Sequence, residues 1–101
     1  MSSALTLDSV VCVSDSQVST RVGDEVVILE LDKGIYYSLE GTGPAIWNLV
    51  QKPVRVIEIR NEIVRNFEVE SEVCERDLLL VLQEMVDTQI LHELTPSDPP
   101  I

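Results

Sequence analysis

Cys12, Cys74 and His92 are the side chains of this 101-residue sequence best suited to nucleophilic or metal chemistry. A thiolate nucleophile needs a base and an orienting acid, and neither cysteine sits in a motif that supplies them. The cysteines lie far apart, outside any C-x-x-C spacing, and with one histidine they cannot assemble a zinc site from Cys and His alone. Both read as small apolar residues of a reduced fold, and His92 as a residue at a frayed helix end. The reading therefore assigns no catalytic residue, no metal site and no cofactor. What remains is the chemistry of recognition: the adjacent pair Tyr36-Tyr37, and the carboxylates of Asp77 and Glu84 spaced along an apolar helical stretch.

These groups must be positioned by one small domain. With 45% apolar residues, a chain of this length can close a single hydrophobic core without disulfide or metal staples. Seven basic against eighteen acidic side chains give a formal charge of −11 at pH 7. That charge repels phosphate backbones and anionic lipid and favours a cationic or neutral partner. The first residues, "MSSALTLDSV", lack a basic segment followed by a long apolar run, and no window approaches the ~20 apolar residues of a membrane span. A soluble cytoplasmic protein is expected, with partners that include neither nucleic acid nor membrane.

Along the chain, "VVCV" (10–13) and "QVSTRV" (17–22) are β-branched runs separated by the turn cluster Ser14-Asp15-Ser16. Val26 to Leu31 reads as a strand and Asp32-Lys33-Gly34 as a three-residue hairpin loop, returning through Ile35 to Leu39. That loop sets Leu31 opposite Ile35, Leu29 opposite Tyr37 and Val27 opposite Leu39 on the core face, with Glu30, Tyr36 and Ser38 on the other. Thr42 or Gly43 is the predicted cap of a helix with Pro44 in its first turn and Ile46, Trp47 and Val50 facing inward. Pro53 stops it. A second helix follows from about Arg55 to Phe67, with Val56, Ile59, Ile63, Val64 and Phe67 as its stripe.

A third helix, N-capped by Ser71, is predicted to run to about Ile90. Its apolar residues, Cys74, Leu78, Leu79, Val81, Leu82, Met85, Val86 and Ile90, cover roughly half the circumference, more than the stripe of about 100° that one packing face needs. Leu80 lies outside even that arc. Either the helix is held between two surfaces of its own domain, or part of its apolar face meets another molecule. The Pro-rich "TPSDPPI" reads as a disordered tail, dividing the chain into a domain over 1–93 and a tail over 94–101.

The resulting fold class is α+β: a three-stranded antiparallel sheet followed by three helices, a winged helix-turn-helix arrangement. "QVSTRVGDEVVILELDKGIYYSLEGTGPAIWNLV", followed by "CERDLLLVLQEMVDTQIL", closely resembles the PqqD-like RiPP recognition elements, and among them the stand-alone leader-binding proteins of lasso peptide biosynthesis. The likeness spans about Val10 to Leu91, and its marks are Gln17-Val18-Ser19, "GIYYSL" (34–39), Gly43 with Ile46-Trp47, and "CERDLL" (74–79). Pro44, where the family often has alanine, and Thr88-Gln89-Ile90, in place of a glycine-containing helix end, depart from the pattern at helix termini. The resemblance implies a module without catalytic activity that captures the leader of a ribosomally made precursor peptide as an added strand against its third β-strand, beside its third helix. It further implies delivery of the precursor to a separate leader-cleaving cysteine protease and to a macrocyclase.

The residues themselves support such binding. In a meander the strand Ile35 to Leu39 has one sheet neighbour, so its outer edge is open to an extended peptide. Ordering a leader costs about 2–5 kcal/mol and a micromolar complex needs roughly 8 kcal/mol net, while each buried apolar anchor returns about 1.5–3 kcal/mol. Two or three anchors are required. The candidate site is accordingly Ile35, Tyr36, Tyr37, Ser38 and Leu39 on the strand, facing Leu78, Val81, Leu82 and Met85 on the helix, with Asp77 and Glu84 placed to meet a leader Lys or Arg. Two other functions share the outline: a peptide carrier of the pyrroloquinoline quinone type serving a radical enzyme, and a winged-helix DNA-binding regulator. The latter needs a basic recognition helix, yet the third helix offers Arg76 against Glu75, Asp77, Glu84 and Asp87.

Overall fold

The β-branched segments are shared between two sheets. The computed structural model describes residues 4–94, with strands β1 (Val10–Val13), β2 (Gln17–Val22), β3 (Glu25–Glu30) and β4 (Ile35–Leu39), then helix α1 (Gly43–Leu49). Strand β5 (Val54–Arg55), helices α2 (Val56–Asn66) and α3 (Ser71–Asp87), and strand β6 (Leu91–Leu94) complete the chain. β2, β3 and β4 form the antiparallel wing sheet in that order, and the second sheet has the order β5-β1-β6. The α+β class with a three-stranded sheet followed by three helices is what the sequence predicts; the second sheet and β6 are additions to it. β1 is pinned there because the chain returns to it twice, Val11 opposite both Val54 and Glu93.

The core lies between the wing sheet, the second sheet and the three helices. Val11, Ile28, Val50, Val56, Ile59, Leu82 and Ile90 are all sealed from solvent, each worth about 1.5–3 kcal/mol of burial. Trp47 joins this core from α1, as its spacing with Ile46 and Val50 predicts, and its indole N–H donates to Ser19 Oγ at 3.2 Å beneath the wing. Arg60 of α2 pairs with Glu75 of α3 and ties the two helices at their margin.

The β3–β4 register differs from the predicted one by a residue on β3. Glu30 pairs with Ile35, Ile28 with Tyr37 and Val26 with Leu39, so the inward residues of β3 are Val26, Ile28 and Glu30 instead of Val27, Leu29 and Leu31. The loop has four residues, Leu31 to Gly34, with Gly34 in the left-handed region at φ 67° and donating to the Glu30 carbonyl at 2.9 Å. The cause is the Glu30 side chain. Fully buried, its carboxylate accepts the backbone N–H of Asp32 at 2.9 Å and of Lys33 at 2.8 Å. These two charge-assisted bonds offset the cost of desolvating the carboxylate and close the wider loop.

The helix ends differ too. Thr42 is the N-cap of α1 but makes no capping bond with its side chain, and Glu70, not Ser71, occupies the N-cap of α3. α3 stops at Asp87 because Gln89 takes a left-handed conformation, φ 67°. Ile90 N–H then donates to Met85 C=O at 2.9 Å and Gln89 N–H to Val86 C=O at 3.0 Å, the paired bonds of a Schellman stop. The chain turns there into β6, so Ile90 and Leu91 enter the core from a loop and a strand. The predicted tail, 94–101, lies outside the described residues apart from Leu94, which ends β6.

Candidate functional site

β4 is an outer strand of the wing sheet. Which of its backbone groups are free follows from the ladder. Leu31 N–H donates to Ser16 C=O at 2.8 Å, which makes 16/31 a hydrogen-bonded pair and, by alternation, 18/29, 20/27 and 22/25 as well. β3 therefore bonds β4 at 26/39, 28/37 and 30/35. The backbone N–H and C=O of Tyr36 and Ser38 point away from the sheet, along the open edge.

The side chains alternate about that edge. Tyr37 and Leu39 face the helices and Tyr36 and Ser38 face outward, as predicted for β4. Leu39 is buried, and a Cβ on Gly43 would stand 2.7 Å from the Leu39 Cβ, so glycine is what lets α1 start directly beneath the end of β4. Tyr37 is half-buried, and its O–H donates to Glu84 Oε1 at 3.0 Å, fastening β4 to α3. Burial pushes the Tyr37 phenol above its ordinary 10.0; Thr88 lowers it in part, and the Glu84 and Asp87 charges raise it further. Tyr37 thus stays a donor to Glu84. Tyr36, at 69% exposure, lies on the face of the sheet away from α3. Ser38 O–H donates to Glu25 at 2.7 Å on that same outer face, and Ile35 is exposed at the loop end of the strand.

On α3, Leu78, Leu82 and Met85 belong to the core, at 3%, 0% and 1% exposure. The surplus apolar width of the helix is divided between its flanks. Leu79 and Val86 pack partly buried against the core on one side, while Val73 and Val81 stay exposed on the other, and Leu80 is exposed. That open flank borders an apolar cleft of about 150 Å³, formed by Thr42 and Ile46 of α1, Ile63 of α2, Val69, and Val73, Cys74, Asp77, Leu78 and Val81 of α3. The structure thus brings Asp77, Leu78 and Val81 together at the cleft, and Tyr37 with Glu84 at the strand. Five apolar contributors, Ile46, Ile63, Val69, Val73 and Cys74, were absent from the predicted site. Val73 was legible, since it precedes Asp77 and Val81 at four-residue steps on one helix face; Val69 and Ile63 come from elements whose approach only the fold defines.

Cys74 lines this cleft as a neutral thiol: burial raises its pKa above 9.0, Arg60 draws it partly back, and Asp77 and Glu75 raise it further. Cys12 stands opposite His92 in the β1–β6 ladder, but its thiol is directed to the Gln51 carbonyl at 3.9 Å. Among the described residues His92 donates no hydrogen bond to a carboxylate, so this pair lacks the orienting acid of a thiolate dyad. Among the described residues, no helix is long and apolar enough to cross a membrane.

A family model described as Coenzyme PQQ synthesis protein D (PqqD) matches residues 25–91, which hold β3, β4, the three helices and the whole cleft. The chain belongs to the PqqD family. Within that family it is a PqqD-like RiPP recognition element, similar to the solved structure "TbiB1 in Complex with the TbiA(beta) Leader Peptide". The two share 33% identity and superpose with a TM-score of 0.75, over 83% of this chain and 98% of that one. No curated protein matches the chain. The part of this PqqD-family chain outside the matched stretch includes β1, β2 and all of β6 but Leu91, so one of the two pairings in the wing sheet and both in the second sheet involve residues beyond the match.

Proposed function

We propose that the protein is a non-catalytic carrier that captures the leader segment of a ribosomally made precursor peptide by strand addition to β4 beside α3. The observations that carry this reading are the open edge at Tyr36 and Ser38, on a strand tied to α3 by the Tyr37–Glu84 bond, and the apolar cleft that α3 itself borders through Asp77, Leu78 and Val81, in a chain similar to a protein solved with a leader peptide bound. Backbone pairing at the edge supplies sequence-tolerant affinity, and the cleft supplies selectivity by taking an apolar leader side chain. Val81 and Val73 are its exposed walls. Leu78, Leu82 and Met85 act as its floor and support, Tyr37 and Leu39 set the strand against the helix, and Asp77 at the cleft attracts a leader cation. Glu84 serves mainly as the acceptor that holds Tyr37.

Capture leaves the outer face of the wing free, where Val27, Leu29 and Tyr36 present half-buried and exposed apolar surface. Delivery to a separate leader-cleaving cysteine protease and a macrocyclase, as in lasso peptide biosynthesis, uses such a face without displacing the leader. A carrier of the pyrroloquinoline quinone type, serving a radical enzyme, is the second reading, favoured by the description of the matched family. The binding geometry would be the same, and the precursor bound would tell the two apart.

Ser38→Pro tests the binding mode. Its N–H faces away from the ladder, where proline is tolerated on an edge strand, so the variant folds but loses one bond to the guest, about 0.5–1.5 kcal/mol, a complex roughly twofold to tenfold weaker. Val81→Asp, placed at the cleft, weakens binding by a further anchor's worth of about 1.5–3 kcal/mol. Titration of a fluorescent leader from the same gene cluster reads both. Wild-type affinity in both variants would move the site off β4 and α3.

A further inference from the structure

β2 is the other outer strand of the wing, and every residue from Val18 to Val22 is exposed. The strand carries Arg21 as its one charge and no carboxylate, in a chain with eighteen acidic side chains. A six-residue, β-branched, nearly uncharged edge is a template for another strand. The ladder alternation that frees Tyr36 and Ser38 on β4 turns the backbone groups of Gln17, Ser19 and Arg21 outward on β2.

We propose that this edge is a self-pairing surface: two copies join β2 to β2 antiparallel about a twofold axis at Thr20, forming one six-stranded sheet. The strand is self-complementary in that register. Ser19 meets Arg21 of the second copy as a hydrogen-bonded pair, using the outward groups of both. Thr20 meets Thr20 and Val18 meets Val22 on the outer face, β-branched pairs of the kind that stabilise a sheet. Centring on Arg21 would oppose two guanidinium groups, and centring on Ser19 would leave Val22 without a partner. With no carboxylate of its own, this strand adds nothing to the mutual repulsion of two chains of net charge −11.

The occupant is a second copy and not a leader, because among the described residues neither the apolar cleft beside α3 nor the more polar one beside α2 has a β2 residue in its wall. The inward Ser19 is already taken by the Trp47 indole, so a foreign peptide would find backbone groups and no selectivity. The β4 edge is unsuited to a second copy, since the Tyr37–Glu84 bond holds α3 against it and two helices would have to share the space. The dimer therefore leaves both β4 edges free at opposite ends of the long sheet. The inference does not rest on peptide capture and is read without any leader.

Sedimentation of the full chain across concentration and ionic strength is the first measurement. A monomer–dimer equilibrium that tightens with added NaCl is expected, as salt screens the −11 charges. Thr20→Lys sets two ammonium groups face to face on the axis and weakens the dimer about tenfold or more, with an unchanged circular dichroism spectrum. Under mild oxidation Thr20→Cys gives a covalent dimer on a non-reducing gel, whereas Tyr36→Cys, also at an exposed position but on the opposite outer strand, does not. A chain that stays monomeric at every concentration and salt, a dimer that Thr20→Lys leaves intact, or equal cross-linking of both cysteine variants would overturn the proposal.

Discussion

Glu30 illustrates how one side chain can decide a register. It is the fully buried carboxylate of the wing hairpin, and its two bonds to Asp32 and Lys33 N–H replace water that cannot reach it. Hydrogen bonds to charged groups contribute about 1.5–3 kcal/mol, so Glu30→Ala is expected to destabilise by about that amount, measured as a lower denaturation midpoint in urea with unchanged slope. A variant as stable as wild type would show that the loop closes without it. The Tyr37–Glu84 bond makes a second prediction. The raised phenol of Tyr37 means that the folded state holds its proton more tightly than the unfolded chain. Its contribution to stability is present below 10.0 and is lost as pH rises through the higher folded value. In a Tyr36→Phe background, spectrophotometric titration of the remaining tyrosine should therefore give a midpoint above 10.0, and Glu84→Gln should lower it by removing a charge that raises it. A midpoint unmoved by Glu84→Gln would place the carboxylate elsewhere.

At the scale of elements, the junction between α3 and β6 holds a residue that the backbone does not favour. Gln89 occupies the left-handed position of a Schellman stop, where a side chain costs roughly 1–2 kcal/mol over glycine. Gln89→Gly is expected to raise the thermal midpoint, offset in part by the entropy glycine adds to the unfolded chain, and calorimetry would show it. The same junction explains what could be read from the sequence. The apolar spacing of α2 and the Gly-Pro start of α1 follow from local rules, and so does the outward–inward alternation of β4, which located the open edge. The end of α3 does not, because Thr88-Gln89-Ile90 has no glycine to mark it and the apolar run continues straight into β6. Nor does the β3 register: turn statistics favoured a three-residue loop ending in Gly34, and only the burial of Glu30 selects four. The cleft was half legible. Val81 and Asp77 share a helix face visible by winding, whereas Ile63 and Val69 join them through the packing of α2 on α3, which no local pattern encodes.

For the whole molecule, the charge distribution sets how a guest arrives more than how long it stays. Eighteen acidic against seven basic side chains produce a negative field extending about 8–10 Å at physiological salt, and Asp77, Glu84 and Asp87 concentrate part of it on the helix that borders the site. On the proposed binding mode, a cationic leader would be drawn toward the cleft before any contact forms, then held by edge hydrogen bonds and apolar burial that salt hardly touches. The association rate of a leader carrying Lys or Arg should therefore fall steeply as ionic strength rises, while its dissociation rate changes little. Stopped-flow fluorescence at a series of NaCl concentrations separates the two. Asp77→Asn should flatten the salt dependence of association, and Arg65→Gln, on the exposed side of α2, should not. If dissociation carried the salt dependence instead, the complex would be held by ion pairs, and the apolar cleft would not be its anchor.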